Sequence, residues 1–133
     1  MLKELVPYQT ITLQSAIAPS LNNPSPFIWT FPNGYGMDVS EYNYATLSVM
    51  VTTLCTASGE IDVNFSLEES KDDLNYLLIK SSYIQMHLDA SQVTYKDMKK
   101  LVGFSAFIRP VIEVVSPYTT SFAIRATIML EKM

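Results

Sequence analysis

Residues 44–70 read YATLSVMVTTLCTASGEIDVNFSLEES. Ala45, Leu47, Val49 and Val51 alternate with Thr46, Ser48, Met50 and Thr52, and Ile61, Val63, Phe65 and Leu67 alternate with Asp62, Asn64, Ser66 and Glu68. Successive side chains of a strand point to opposite faces, so each run carries branched and aromatic groups on one face and mainly polar groups on the other. Thr56-Ala57-Ser58-Gly59 between them is turn chemistry, and the two runs predict an antiparallel hairpin with one dry and one wet face. Burying Ile61, Val63, Phe65 and Leu67 yields about 6–12 kcal/mol gross, and ordering the backbone of that run costs about 7–14. The hairpin therefore needs a second apolar sheet over its dry face.

The rest of the chain supplies one. Tyr8–Gln14 alternates Ile11 and Leu13 with Thr10, Thr12 and Gln14 and predicts a first strand. Phe27–Phe31 is a short aromatic run between Pro26 and Pro32, which confines it to a short strand at a sheet edge. Asn33-Gly34-Tyr35-Gly36 and Lys71–Asn75 are turns, the second followed by expected strands at Tyr76–Lys80 and Tyr83–Leu88. Thr94 as N-cap, Asp97 three residues on, a Val93–Met98 staple and Gly103 as stop predict at most two turns of helix, with an inter-strand loop as the other reading. Phe104–Val115 reads as a long strand in which Pro110 demands an edge or a bulge. In the last strand Phe122, Ile124, Ala126, Ile128 and Leu130 face inward. About seven or eight strands and at most one short helix predict an all-β chain, an antiparallel β-sandwich of jelly-roll or immunoglobulin-like type. Residues 1–133 form one domain in this reading, with 1–7 as an N-terminal contact arm.

Charged residues make up only 17% of the chain and hydrophobic ones 48%, with a mean hydropathy of +0.15, which suits either a surface partly covered by partners or a well-filled β core in a monomer. A net charge of −4, with no basic cluster beyond Lys96, Lys99 and Lys100, speaks against nucleic acid as a partner. Lone Cys55 allows no disulfide within the chain and reads as a small buried thiol. Glu4 and Pro7 interrupt the start where a secretory signal needs a continuous apolar run, and no apolar stretch is long enough for a membrane helix, so no membrane partner is expected. His87, the single histidine, reads as a solvated surface residue beside Asp89. Glu68, Glu69, Asp72 and Asp73 cluster at one turn, but their spacing does not match a calcium loop, so neither a metal nor a cofactor is expected. Trp29, Phe31, Tyr35 and Tyr42 crowd one stretch, where aromatics plug the end of a sandwich, anchor an interface or stack on sugars.

The segments PYQTIT (Pro7–Thr12), LEESKDDLNY (Leu67–Tyr76) and AFIRPVIEV (Ala106–Val114), with a small-residue turn at Gly59, resemble the small β-sandwich virion proteins of tailed bacteriophages. Those proteins have an acidic S-x-D-G-x-N-[WY]-like turn and an aromatic-x-Arg strand; this chain has Asp73 where a glycine is usual. The resemblance implies a non-enzymatic capsid decoration or cement protein. It would be assembled in the host cytoplasm and bind the major capsid protein or other virion proteins as a homo-oligomer such as a trimer. Leu2, Leu5, Val6, Phe27, Trp29, Phe31, Tyr35 and Tyr42 are the expected contact residues. A tail, neck or fibre subunit is the neighbouring expectation, and a carbohydrate-binding sandwich using Trp29 and Tyr35 is a third.

Overall fold

A computed structural model describes residues 1–14, 23–24, 27–31, 33–56, 61–88, 94–115 and 120–132; for 12–14, 23–24, 27, 54–56, 61, 115 and 120 only the backbone path is used. The described strands are β1 (Leu2–Gln14), β2 (Asn23–Pro24), β3 (Phe27–Trp29), β4 (Met37–Asp38), β5 (Tyr44–Thr56), β6 (Ile61–Ser70), β7 (Leu77–Leu88), β8 (Thr94–Val102), β9 (Phe107–Val115) and β10 (Thr120–Glu131). Sheet I has the order β2-β1-β10-β5-β8, and sheet II the order β3-β9-β6-β7 with β4 also on β9. Every pairing is antiparallel except that of β1 with β2. The expected all-β sandwich is thus the observed one, and no helix occurs among the described residues.

The expected hairpin of β5 and β6 does not form. β5 lies between β10 and β8 in sheet I, and β6 between β9 and β7 in sheet II, so the chain crosses from one sheet to the other between them. The alternation was informative about faces and silent about partners. Ala45, Leu47, Val49 and Val51 from β5 and Val63, Phe65 and Leu67 from β6 are all buried, in one core with Ile84, Leu101, Ile112, Val114, Phe122, Ile124 and Ile128. Each run therefore supplies part of the cover that the other requires.

The helix expected from Thr94 is instead strand β8, paired residue by residue with β5 from Thr52↔Thr94 to Tyr44↔Val102. Thr94, expected as a cap, places its hydroxyl 3.1 Å from that of Thr52. The open edge of β5 offers nine residues of ladder, more than the cap signals offer a two-turn helix. Gly103 still ends the element, with φ +71. The two strands expected at 76–80 and 83–88 are one strand, β7, with a register shift opposite Phe65 and Leu67. Buried Ser82 fills that irregularity: its hydroxyl accepts the Leu67 N–H at 2.8 Å and donates to the Ile79 carbonyl at 2.6 Å. Pro110 is interior to sheet II by strand order, but it falls in the gap between the stretch of β9 paired with β3 and that paired with β4. A missing ladder donor is tolerated there.

The N-terminal segment is no free arm. Leu2, Lys3, Glu4 and Val6 pair with β10 across a register shift at Leu5, and Leu5 and Val6 are 1% and 0% exposed. The Cys55 side chain and Asp89 lie outside what is described.

Candidate binding surface

Because Leu47, Val49 and Ile128 point into the core, their neighbours Ser48, Met50 and Thr127 point outward from sheet I. The register sets Leu2 beside Met129 and Glu4 beside Thr127 on one flank, and Met98 beside Ser48 and Lys96 beside Met50 on the other. Of these, Leu2, Ser48, Met50, Lys96, Met98 and Thr127, together with Val49, Asp97 and Arg125, line an open groove of about 400 Å³ across the outer face of sheet I. Its walls are thioether and aliphatic groups; the polar side chains of its lining residues carry two hydroxyls, an ammonium, a guanidinium and the Asp97 carboxylate. The Arg125 Nε donates to Glu4 Oε2 at 3.2 Å, an exposed pair that orients the guanidinium more than it stabilises the fold.

A second constellation lies at the β6–β7 turn. Asp73 adopts φ +61, the left-handed conformation in which glycine is common, and its Oδ1 accepts the Gly36 N–H at 2.6 Å and the Tyr76 hydroxyl. Arg109 stacks over the Tyr76 ring at 3.9 Å, donates from Nε to Glu68 Oε1 at 2.8 Å, and donates from Nη1 to the Gly34 carbonyl at 2.7 Å. Desolvation first, and then the hydrogen bond to Asp73, push the Tyr76 hydroxyl up to about 12. Gly36 is required by close approach, since a Cβ there would meet the Ile108 carbonyl oxygen at 2.8 Å as well as the Tyr76 hydroxyl. The acidic turn and the aromatic-x-Arg strand quoted above thus meet across sheet II and hold the turn at residues 33–36. The constellation is a structural clamp, with every strong donor and acceptor directed at another part of the chain.

The acidic residues behave accordingly. Glu69 accepts from Ser105 N and Oγ at 3.2 and 2.8 Å, while Asp72 accepts from the backbone of Leu74 and Asn75. Among the described residues no three His, Cys, Asp or Glu side chains converge to hold a metal. His87 sits on the outer face of sheet II with Nδ1 2.7 Å from Asp62 Oδ1, a half-exposed cross-strand pair.

The expected contact residues do not form one surface. Leu2 lines the groove, while Leu5 and Val6 belong to the core. Phe27 lies in β3 opposite Val114. Trp29 and Phe31 are half-buried against the core, edge to face with ring centroids 6.3 Å apart. Tyr42 also packs on the core, with its hydroxyl 3.5 Å from the Met1 sulfur. Tyr35 is 52% exposed on the clamped turn. Met50, Met98, Arg125, Ser48 and Thr127 were missed; the readable signal was apolar methionine at outward positions of polar-faced strands.

No protein-family model and no curated protein matches the chain. Among solved structures it is similar to the CBM22-1 xylan-binding domain from Paenibacillus barcinonensis Xyn10C, with a TM-score of 0.52 and 10% identity over 99% of this chain and 86% of that one. It is similar to a CBM4 structure at a TM-score of 0.52 and 7% identity, over 93% and 84% of the two chains. It also resembles a chain of infectious bursal disease virus Gt strain, at 0.52 and 9% identity over 96% of this chain and 31% of the viral one. At such identities the likeness is one of fold: a β-sandwich shared by carbohydrate-binding and viral proteins.

Proposed function

We propose that the protein is a non-catalytic recognition module that holds a carbohydrate chain in the groove on the outer face of sheet I. The groove itself carries the reading. Its volume of about 400 Å³ lies within the range of small-ligand sites, and its lining mixes apolar and hydrogen-bonding groups as a sugar does. Met50, Met98 and Leu2 would meet the C–H faces of the rings, while Arg125, Lys96, Ser48 and Thr127 would meet the hydroxyls. Two of the structural neighbours are carbohydrate-binding modules by name, which supports the ligand class. Trp29 faces the core and Tyr35 lies on the turn of the clamp, so the sugar site moves from those aromatics to the groove. Without an aromatic platform, binding is expected to be weak, on the order of 0.1–1 mM. Affinity electrophoresis in xylan and other soluble polysaccharides, together with a glycan array, tests this. Retardation that Arg125→Ala or Met50→Ala weakens about tenfold is the expected result, and no retention on any glycan overturns the reading.

A second reading keeps the virion. Large exposed apolar residues also occur away from the groove, at Ile28, Leu74, Leu77 and Tyr83, as suits a subunit contacted on several sides, and the viral structural neighbour fits that reading. Here the protein would bind the major capsid protein as a decoration or cement subunit, or else serve in a tail, neck or fibre. Co-sedimentation with undecorated capsids and a rise in their melting temperature would favour this role; failure to co-sediment would remove the capsid form of it.

A further inference from the structure

The β6–β7 turn and the first two residues of β7 hold three leucines in solvent: Leu74, Leu77 and Leu78 are 73%, 75% and 48% exposed. The turn that carries Leu74 and leads into Leu77 and Leu78 is fixed. The Asp72 carboxylate accepts the N–H groups of Leu74 and Asn75 at 2.9 Å each, the Asn75 amide at 2.9 Å and the Ser70 hydroxyl at 2.8 Å. These donors, the Asn75 and Leu74 N–H groups foremost, hold its carboxyl well below the usual carboxylate range. The next residue, Asp73, accepts the Gly36 N–H at 2.6 Å. A rigid turn presenting apolar side chains loses little conformational freedom when it is covered. Beside it lies a groove of about 590 Å³, whose lining includes Leu77, Leu78, Glu69 and Ser105.

Charge identifies what covers it. Glu68, Glu69, Asp72 and Asp73 outnumber Lys71 and Arg109, the latter paired with Glu68, at this turn, whereas β8 carries Lys96, Lys99 and Lys100 against Asp97. Among the described residues the ion pairs are His87–Asp62, Arg109–Glu68 and Arg125–Glu4, so none of the three β8 lysines pairs with a described carboxylate. β8 also ends on Val102, which is strongly exposed. β7 and β8 are the last strands of sheets II and I, and they touch along one side of the sandwich. The acidic leucine turn and the basic strand therefore share that side.

We propose that two copies of this chain associate about a two-fold axis through this side. Leu74, Leu77 and Leu78 of one protomer pack on Val102 and the stems of Lys99 and Lys100 in its partner, and the acidic turn faces the ammonium groups of those two lysines. A two-fold makes both contacts at once, because each protomer offers both halves. Lysine methylenes cover apolar surface while their ammonium groups reach carboxylates, so the same residues serve packing and charge. The dimer stands independently of what binds the sheet I groove.

Sedimentation equilibrium of the full chain on the order of 10–100 µM should give the mass of two copies at low salt, weakening in 1 M NaCl. Leu74→Asp with Leu77→Asp, and separately Lys99→Glu with Lys100→Glu, should each raise the dissociation constant at least tenfold while circular dichroism stays that of the folded protein. Leu74→Ser, a milder change at the turn tip, should give a smaller loss in the same direction, which keeps the test valid should the double variant fold poorly. A single-copy mass at 100 µM, a mass other than two copies, or a dimer indifferent to either pair of substitutions overturns the proposal.

Discussion

Asp73 combines a backbone cost with a side-chain gain. A left-handed non-glycine residue costs roughly 1–2 kcal/mol, less for Asp than for most, whereas the Gly36 N–H and the Tyr76 hydroxyl would each lose about 1–3 kcal/mol if left unpaired on desolvation. The hydrogen bonds win, which is why a position open to glycine holds a carboxylate. The same pair makes the clamp sensitive to alkali. The Tyr76 hydroxyl ionises near 10 in the unfolded chain and near 12 when folded, so its contribution is complete below pH 10 and is lost as pH rises towards 12. The melting-temperature gap between the wild type and Tyr76→Phe should accordingly narrow from pH 9.5 to pH 12, and the gap to Asp73→Gly should narrow less, because that variant keeps the tyrosine and the desolvation that is the larger cause of its shift. A gap that stays constant across this range would show that the hydroxyl does not report on the clamp.

Strand β7 shows what an element does when its ladder is interrupted. Between Ile84, opposite Phe65, and Ile79, opposite Leu67, the β7 chain is longer than β6, and the Leu67 N–H turns to the Ser82 hydroxyl. Ser82→Ala should therefore destabilise the protein by about 1–3 kcal/mol, the cost of an orphaned buried donor, with faster exchange of the Leu67 amide in particular. Equal protection of that amide in the variant would mean the hydroxyl is dispensable. Elements of this kind were only partly legible in the sequence. The inward residues of β5, β6 and β10 could be read from their period of two, because burial imposes that period directly. Partners could not: β6 pairs with β9, more than forty residues along, and nothing local encodes that choice. β8 carried helix cap signals, and the edge of β5 overrode them. The groove was the least legible feature, since Leu2, Met50, Met98 and Arg125 come from four strands, and only the register assembles them.

At the scale of the molecule, the crossing between β5 and β6 makes the two sheets interdependent. One continuous stretch supplies inward residues to both, and the buried residues of both form a single cluster. Neither sheet has another dry surface to pack on, so the sandwich should unfold as one unit. The single tryptophan lets this be seen. Trp29 belongs to sheet II, pairs with Ile112 and packs on the core beside Phe31, so its fluorescence reports from that sheet. Leu47 belongs to sheet I and is fully buried. Leu47→Ala removes three methyl-sized groups and leaves a cavity, which should cost about 2–5 kcal/mol. If the core is shared, the Trp29 transition in urea moves to lower denaturant by the same amount as the transition followed by circular dichroism, with an unchanged slope. A Trp29 transition that stays in place while the dichroism signal shifts would mean that sheet II survives the loss of sheet I, and would divide the protein into two cooperative halves.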